Sequence, residues 1–124
     1  LNSLINLNYL PVVAPVAIDD EHMLLNVDSD RAAAYIAGAL KAESMIVCTD
    51  IEGVMLEEKL VEKMDVEMAK QKLDGIGHGM KKKVYAAIEA LEFGVKEVVI
   101  TSGFLEKPLT SAINHKVGTV LTLE

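Results

Sequence analysis

The chain is poor in cysteine and has no long apolar run. Its one cysteine, Cys48, cannot form an internal disulfide or supply a cysteine-rich zinc site, and its place in the apolar run 45–48 predicts a buried strand residue. No stretch of about eighteen apolar residues occurs, and no basic segment precedes a short apolar one, so neither a membrane span nor a signal peptide is predicted. We therefore expect a cytoplasmic location.

Basic side chains are also in deficit. Twelve Lys and Arg residues stand against nineteen Asp and Glu, a net charge of −7, which is the wrong sign for a protein that binds a phosphate backbone. We expect no nucleic acid partner. The lysines are nevertheless concentrated at Lys81 to Lys83, which leaves room for one local anion site. A length of 124 residues with 51% hydrophobic side chains fits one globular domain.

Strand and helix patterns alternate along the chain. A valine-rich strand, near an edge or with interruptions, is predicted at 9–18, because Pro11 and Pro15 remove two backbone donors, and a short apolar return follows at 23–27. The other predicted segments are helices at 30–42, 65–73, 80–93 and 108–113, strands at 44–49, 97–101 and 118–123, and a loop or hairpin at 51–63. The alternation predicts an α/β fold, a mostly parallel sheet with helices on both faces in three layers, α/β/α. Ligands of such sheets bind beyond the carboxyl ends of the strands.

Two polar clusters lie where helices are predicted to begin. Asn26 and Asp30 are four residues apart, just before the first long helix, and both could act only as turn and cap residues there. Lys83 follows Gly79-Met80 in the first turn of the helix at 80–93, where the helix dipole favours phosphate oxygens. The alternative is that Lys81 to Lys83 form only a solvated helix start.

Two loops could hold a nucleotide. The segment Thr49-Asp50-Ile51-Glu52-Gly53-Val54 follows a predicted strand, and Gly75-Ile76-Gly77-His78-Gly79 precedes the helix at 80–93. The glycine run lacks the dinucleotide-binding spacing, so it is a weak signal by itself. No pair of histidines has helical metal-ligand spacing, so we predict no protein-bound metal site.

Taken together and in this order, the motifs Asn-x-x-x-Asp, Thr-Asp-Ile-x-Gly-Val, the glycine run and Gly-Met-x-x-Lys resemble the amino acid kinase family from about Tyr9 to the end of the chain. The resemblance implies that Asn26 contacts an acylated amino acid, that Asp30 holds catalytic lysines in position, and that Lys83 stabilises the transferring phosphoryl group. The residues that it places at the nucleotide are Thr49, Asp50, Gly53, Val54, Gly75, Ile76, Gly77, Gly79 and Met80. The cofactors that the resemblance implies are ATP and the Mg²⁺ that is carried with ATP.

The closing stretch points to one branch of that family. Ser102-Gly103 with Pro108, and then Gly118-Thr119-Val120, resemble the archaeal kinases that phosphorylate aminoadipate or glutamate attached to the amino-group carrier protein LysW, in lysine and arginine biosynthesis. The resemblance implies a homo-oligomer for the full-length form. N-acetylglutamate kinase is the first alternative, and a non-catalytic domain that senses a nucleotide or an amino acid is the second.

Half of the family pattern is missing from this sequence. The family's amino-terminal half carries a Lys-x-Gly-Gly loop, whereas this chain begins at Leu1 and contains no Gly-Gly pair. We therefore expect residues 1–124 to be the carboxyl-terminal, ATP-binding half of a carboxylate kinase, without the substrate and phosphate-loop half. The piece alone is expected to be inactive.

Overall fold

The computed structural model describes all 124 residues. Short strands and helices alternate, and one 3₁₀ turn lies at Leu73–Gly75. In chain order the elements are α1 (Asn2–Asn6), β1 (Val16–Ile18), β2 (Leu24–Asn26), α2 (Ser29–Leu40), β3 (Ser44–Thr49), β4 (Met55–Leu56), β5 (Lys59–Leu60), β6 (Lys63–Asp65), α3 (Val66–Lys72), α4 (His78–Glu92), β7 (Glu97–Ser102), α5 (Pro108–Ile113) and β8 (Thr119–Thr122).

The central sheet has four strands in the order β3-β7-β8-β6. The pairs β3·β7 and β6·β8 are parallel, and β7·β8 is antiparallel. Two of the three pairings are therefore parallel, as the sequence predicted. Two small hairpins, β1·β2 and β4·β5, stand apart from this sheet, and the second falls in the predicted loop or hairpin at 51–63.

Helices cover both faces of the sheet, which confirms the predicted layers. The main core lies on the face covered by α2, α3 and α4, and Val84, Val98 and Leu121 are fully buried within it. On the other face, the short α5 places Ala112 against Val99 and Val120. No helix in the structure combines the length and the apolar character that a membrane crossing requires.

Local chemistry sets the ends of the two long helices. The side chain of Asp28 accepts a hydrogen bond from the Arg31 amide at 3.0 Å and caps α2, which ends at Lys41 in the left-handed conformation. Helix α4 begins after Gly77 and ends before Gly94, whose φ of +96° suits glycine. The prediction of a helix at 80–93 is thus confirmed to within two residues.

The predicted strand at 9–18 is wrong for most of its length. Only Val16–Ile18 forms a strand, and it pairs with β2 rather than with the central sheet. Pro11 and Pro15 carry no amide hydrogen, so this segment cannot form a continuous ladder. The helix α1 was not predicted.

The predicted burial of Cys48 is also wrong, because its side chain is exposed. Strand β3 lies at the edge of the sheet, and its residues alternate: Met45 and Val47 face the main core, whereas Cys48 faces the side that only α5 covers. The strand is therefore covered less completely than its apolar sequence suggested.

Candidate functional site

The predicted site residues come from four segments that the order of strands and helices places towards one end of the sheet. Strands β3 and β7 are parallel and in register, so that Thr49 and Ser102 end them side by side. Helix α2 precedes β3 and α4 precedes β7, and each helix runs back along the sheet before its strand begins. The amino ends of both helices therefore lie beside the carboxyl ends of these strands. Ligands bind at that end of the sheet in such folds.

An ion pair joins the two helices at this end of the sheet. The ammonium nitrogen of Lys83 lies 3.1 Å from each carboxylate oxygen of Asp30, and the two side chains are 23% and 18% exposed. This partial burial weakens screening by solvent, which is the main reason why surface ion pairs contribute little. Since an ammonium group has three hydrogens in rotating positions, Lys83 can still donate to an anion that approaches from solvent.

The capping explanation for Asn26 and Asp30 does not fit the structure. Asp28 is the cap of α2, and Asp30 lies in the first turn with its carboxylate on Lys83. Asn26 ends β2, where its backbone is opposite Val16 and its side chain is exposed. It is therefore free to contact a ligand.

The lysine cluster is not simply a solvated helix start. Lys83 is held by Asp30, and Lys81 lies 2.7 Å from Asp74 across the glycine run. Lys82 is exposed and has no ion-pair partner. The three neighbours thus occupy three different environments.

The glycine run forms an open entrance to α4. A methyl group at Gly77 or Gly79 would meet no atom within 4 Å, so both positions adjoin open space. Ile76, within the run, and Met80, directly after it, are buried and anchor the run to the core. The first backbone amides of a helix have no intrahelical acceptor, so this entrance can donate hydrogen bonds to an anion.

The loop after β3 divides into an exposed part and a buried part. Thr49 donates from its hydroxyl to the Asp50 carboxylate at 3.1 Å, and Asp50 is exposed. Gly53 and Val54 are buried: the Val54 amide donates to the Thr119 hydroxyl at 2.8 Å. A methyl group at Gly53 would lie 2.7 Å from that hydroxyl oxygen, so this glycine is required by packing. In this structure Gly53 and Val54 shape the loop and offer no side chain to a ligand.

One cavity at the same end of the sheet was not predicted. It has a volume of about 200 Å³ and is lined by Glu52, Leu60, Ser102, Leu105, Lys116, Val117 and Gly118. Its charges, Glu52 and Lys116, are isolated in loops and give no sequence signal of their own. Gly118 has a φ of +83°, and a methyl group there would clash with the Ile100 carbonyl oxygen.

The 124 residues form no cluster of metal-ligating side chains. No three His, Cys, Asp or Glu side chains come close enough to hold a metal ion together. The site therefore consists of one ammonium–carboxylate pair, one exposed amide, one exposed aspartate and an open helix entrance.

Comparison with known proteins gives consistent matches. The model of the amino acid kinase family matches residues 1–102. The [LysW]-aminoadipate/[LysW]-glutamate kinase of Sulfolobus acidocaldarius is 46% identical over 94% of this chain and 44% of its own length. That of Sulfurisphaera tokodaii is 43% identical over 90% of this chain and 43% of its own length. The chain thus spans about half the length of these relatives.

Solved structures share the backbone at lower identity. N-acetylglutamate synthase from Neisseria gonorrhoeae, complexed with coenzyme A and L-arginine, superposes with a TM-score of 0.92 at 22% identity over 99% of this chain and 30% of its own. Carbamate kinase from Giardia lamblia, bound to AMP-PNP, gives a TM-score of 0.69 at 24% identity over 86% of this chain and 36% of its own. At these identities the likeness concerns the fold alone.

Proposed function

Because the chain belongs to the amino acid kinase family, we propose that it is the carboxyl-terminal, nucleotide-binding half of a carboxylate kinase. The proposed substrate is the side-chain carboxylate of aminoadipate or glutamate carried by LysW, as in the names of its relatives. The proposed phosphoryl donor is ATP, accompanied by magnesium. The amino-terminal half, with the phosphate loop and part of the substrate site, would belong to the rest of the parent protein.

In the proposed reaction, a carboxylate oxygen of the substrate attacks the terminal phosphorus of ATP. A phosphorus–oxygen bond forms, the bond to the bridging oxygen breaks, and an acyl phosphate and ADP are released. The attacking carboxylate is already ionised, so no proton has to be removed. Catalysis then depends on alignment and on cations placed around the transferring group.

This chain offers residues for those tasks. Lys83 would stabilise the negative charge on the transferring phosphoryl group, and Asp30 would keep the lysine in place. Asn26 would contact the acylated amino acid, while Asp50 and the entrance at Gly77 and Gly79 would contact the nucleotide. Magnesium, when bound with ATP, would neutralise phosphate charge, and phosphate oxygens are among its usual ligands.

One observation carries this proposal. Lys83 and Asp30 are 53 positions apart in sequence, yet they meet at 3.1 Å at the amino ends of two neighbouring helices. A lysine that served only solubility would extend into solvent, whereas the Lys83 side chain is mostly enclosed and lies on both carboxylate oxygens of Asp30. The pairing is what a fixed phosphate-facing cation requires.

The test is Lys83→Ala in the full-length parent, with Lys82→Ala as the matched control on the same helix. We expect Lys83→Ala to reduce turnover about a hundredfold or more, because one interaction made mainly in the transition state is worth roughly 3 kcal/mol. The exposed Lys82 has no such partner, so its removal should change turnover little. Equal turnover in the two variants, with intact circular dichroism, would contradict the proposed role.

The isolated chain provides a second test. We expect the 124 residues to bind magnesium–ATP in titration calorimetry and to form no acyl phosphate in a hydroxamate assay, since the acceptor site needs both halves. Acyl phosphate from the isolated chain would contradict the assignment as a half. Absence of nucleotide binding would contradict the claim that this half is a self-sufficient ATP site.

A second candidate function rests on the similarity in backbone to N-acetylglutamate synthase. A synthase shares this fold with a TM-score of 0.92, so the fold by itself does not require phosphoryl transfer. The chain could then be a domain that binds a nucleotide or an amino acid without catalysis. ATP binding without transfer in the full-length parent would favour this candidate. N-acetylglutamate kinase is the remaining alternative, and a full-length parent that prefers free N-acetylglutamate to the carrier-bound substrate would favour it.

A further inference from the structure

The buried part of the contact between α2 and α4 is made by very small side chains, whereas the half-exposed rings of Tyr35 and Phe93 meet at the carboxyl end of α4, with centroids 4.6 Å apart. Ala34 on α2 and Ala86 and Ala90 on α4 are fully buried. Gly38 allows still closer approach, because a methyl group there would lie 2.6 Å from the β-carbon of Phe93. Such shallow ridges let two helices come close but interlock weakly, so they do little to fix the rotation of one helix about its axis.

Two ion pairs flank this smooth contact. With about 100° between successive helical residues, Ala86 and Ala90 lie on the face of α4 between Lys83 and Glu89. Lys83 contacts Asp30 on one side, and Glu89 contacts Arg31 on the other. The directional polar contacts that can fix the rotation of α2 are thus on its flanks and not in its apolar contact.

The Arg31 pair has the more restrictive geometry of the two. Nε of Arg31 donates to Oε2 of Glu89 at 2.9 Å, and Nη2 donates to Oε1 at 2.6 Å. Two parallel hydrogen bonds from a planar group fix an orientation as well as a distance. Glu89 is only 16% exposed, so the acceptor end of the fork is held by its surroundings.

We propose that Arg31 is a positioning residue for Lys83, because its fork on Glu89 fixes the rotation of α2 that aims Asp30 at the lysine. Asp30 and Arg31 are adjacent on one rigid turn, so neither can move without the other. A rotation of about 20° would move side chains about 6 Å from the helix axis by about 2 Å, enough to break both bonds between Asp30 and Lys83. The catalytic meaning of this inference rests on the proposed function; the geometric part does not.

The geometric part can be tested on the 124-residue chain by the ¹⁵N signal of the Lys83 ammonium group, assigned by its loss in Lys83→Arg. Asp30→Asn provides the position of that signal when the pair is broken. We expect Arg31→Met, which keeps the aliphatic stem but removes the fork, to move the signal most of the way to this position. Arg31→Lys keeps the charge without the fork and should cause a smaller shift in the same direction.

The matched control is Lys70→Met, which removes the pair between Lys70 and Glu92 at 2.8 Å. That pair joins α3 to α4 and does not involve α2, so the Lys83 signal should stay in place. The double variant Arg31→Glu/Glu89→Arg rebuilds a fork with the charges exchanged and should restore the signal. An unmoved Lys83 signal in folded Arg31→Met and Arg31→Lys would overturn the inference.

In the full-length kinase, Arg31→Met should lower turnover about tenfold or more, with little change in the Michaelis constant for ATP, because a misplacement of about 1 Å can cost up to about a hundredfold. If Lys83→Ala left turnover unchanged, the proposed function would fail, while the ammonium signal would still decide whether Arg31 positions the lysine. A signal that moves without any loss of turnover would leave Arg31 a structural residue and overturn its functional role.

Discussion

Residues 1–27 and residues 28–124 are both rich in apolar side chains, but only the second region buries them. No residue before Ala34 is buried, and Leu10 and Val12 are about 90% and 93% exposed. In the second region, Leu91 and Ile100 are almost completely enclosed. The comparison shows that apolar content does not create a core: a two-stranded hairpin has no second layer to pack against, whereas the four-stranded sheet has helices on both faces.

The exposed apolar surface of the first region has a counterpart in the second. Pro11, Val13 and Pro15 line a groove of about 360 Å³ whose other wall is the outer face of α2 and the start of β3. Contiguous apolar surfaces of this kind mark interaction sites in soluble proteins. In the proposal that this chain is one half of a kinase, the amino-terminal half would cover this surface.

The largest expected effect comes from the same substitution, Leu→Ala, made once in each region. Leu91→Ala removes a side chain that is 2% exposed, and Leu10→Ala removes one that is 90% exposed. We expect Leu91→Ala to lower the free energy of unfolding by about 2–5 kcal/mol, because it leaves a cavity in the core. Leu10→Ala should change it by less than about 0.5 kcal/mol. Urea unfolding of the isolated chain measures both.

A comparable loss in the free energy of unfolding of Leu91→Ala and Leu10→Ala would contradict the difference between the regions, since it would mean that the first region is part of the cooperative core. Amide hydrogen exchange offers an independent measure. The amides of β1 and β2 should exchange much faster than those of β7, because their hairpin can open without exposing the core.

The contrast between the regions also marks the limits of prediction from sequence. Helix α4 was predicted to within two residues, because its apolar spacing and its terminal glycine are local signals. The strand at 9–18 was wrong because a valine-rich segment becomes a strand only when a partner lies beside it. The predicted burial of Cys48 was wrong for a related reason, because the sequence does not show that β3 is the outermost strand of the sheet.

The candidate site also has a part that the sequence predicts and a part that only the structure shows. Asn26, Asp30 and Lys83 were singled out by their order and spacing, which the resemblance to a family made meaningful. Their roles as ligand contacts stay predictions, although the structure brings Asp30 to Lys83. The contact of Arg31 with Glu89 spans 58 positions and carries no local signal, so only the packing of α2 on α4 reveals it.

A smaller effect is expected from two aspartates that make the same kind of local hydrogen bond, one in each region. Asp28 accepts from the Arg31 amide and caps α2, and Asp19 accepts from the amides of Glu21 and Met23 in the hairpin turn. Asp28→Ala should lower the free energy of unfolding by about 1 kcal/mol, because it removes a helix cap. Asp19→Ala should lower it much less, because its turn lies outside the core.

Thermal and urea unfolding followed by circular dichroism at 222 nm would measure this difference. Asp65→Ala is a positive control, since Asp65 caps α3 by accepting from the Met68 amide at 2.7 Å. If Asp19→Ala proved as costly as Asp28→Ala, the hairpin would have to be coupled to the folding of the rest of the chain. The two regions would then form one cooperative unit.

The smallest expected effect concerns an exposed ion pair within the well-packed region. The Lys96 ammonium nitrogen lies 2.7 Å from a Glu43 carboxylate oxygen, and its hydrogen bond and its positive charge hold the pKa of Glu43 below the ordinary value of 4.5. A carboxyl group whose pKa is lower in the folded state stabilises the protein above its unfolded pKa, and this contribution is lost as the pH falls through the folded value. Wild type should therefore exceed Glu43→Gln in stability slightly at neutral pH, and the difference should begin to shrink as the pH falls below about 4.5 and vanish below the folded pKa of Glu43. Glu21→Gln is the matched control in the first region, because Glu21 lies in no ion pair.

The difference in stability between wild type and Glu43→Gln should also shrink in about 1 M salt, where the screening length is only about 3 Å. A difference that persisted in acid or in high salt would show that Glu43 acts through packing, and that exposed side chains of residues 28–124 contribute more to stability than their solvent contact suggests.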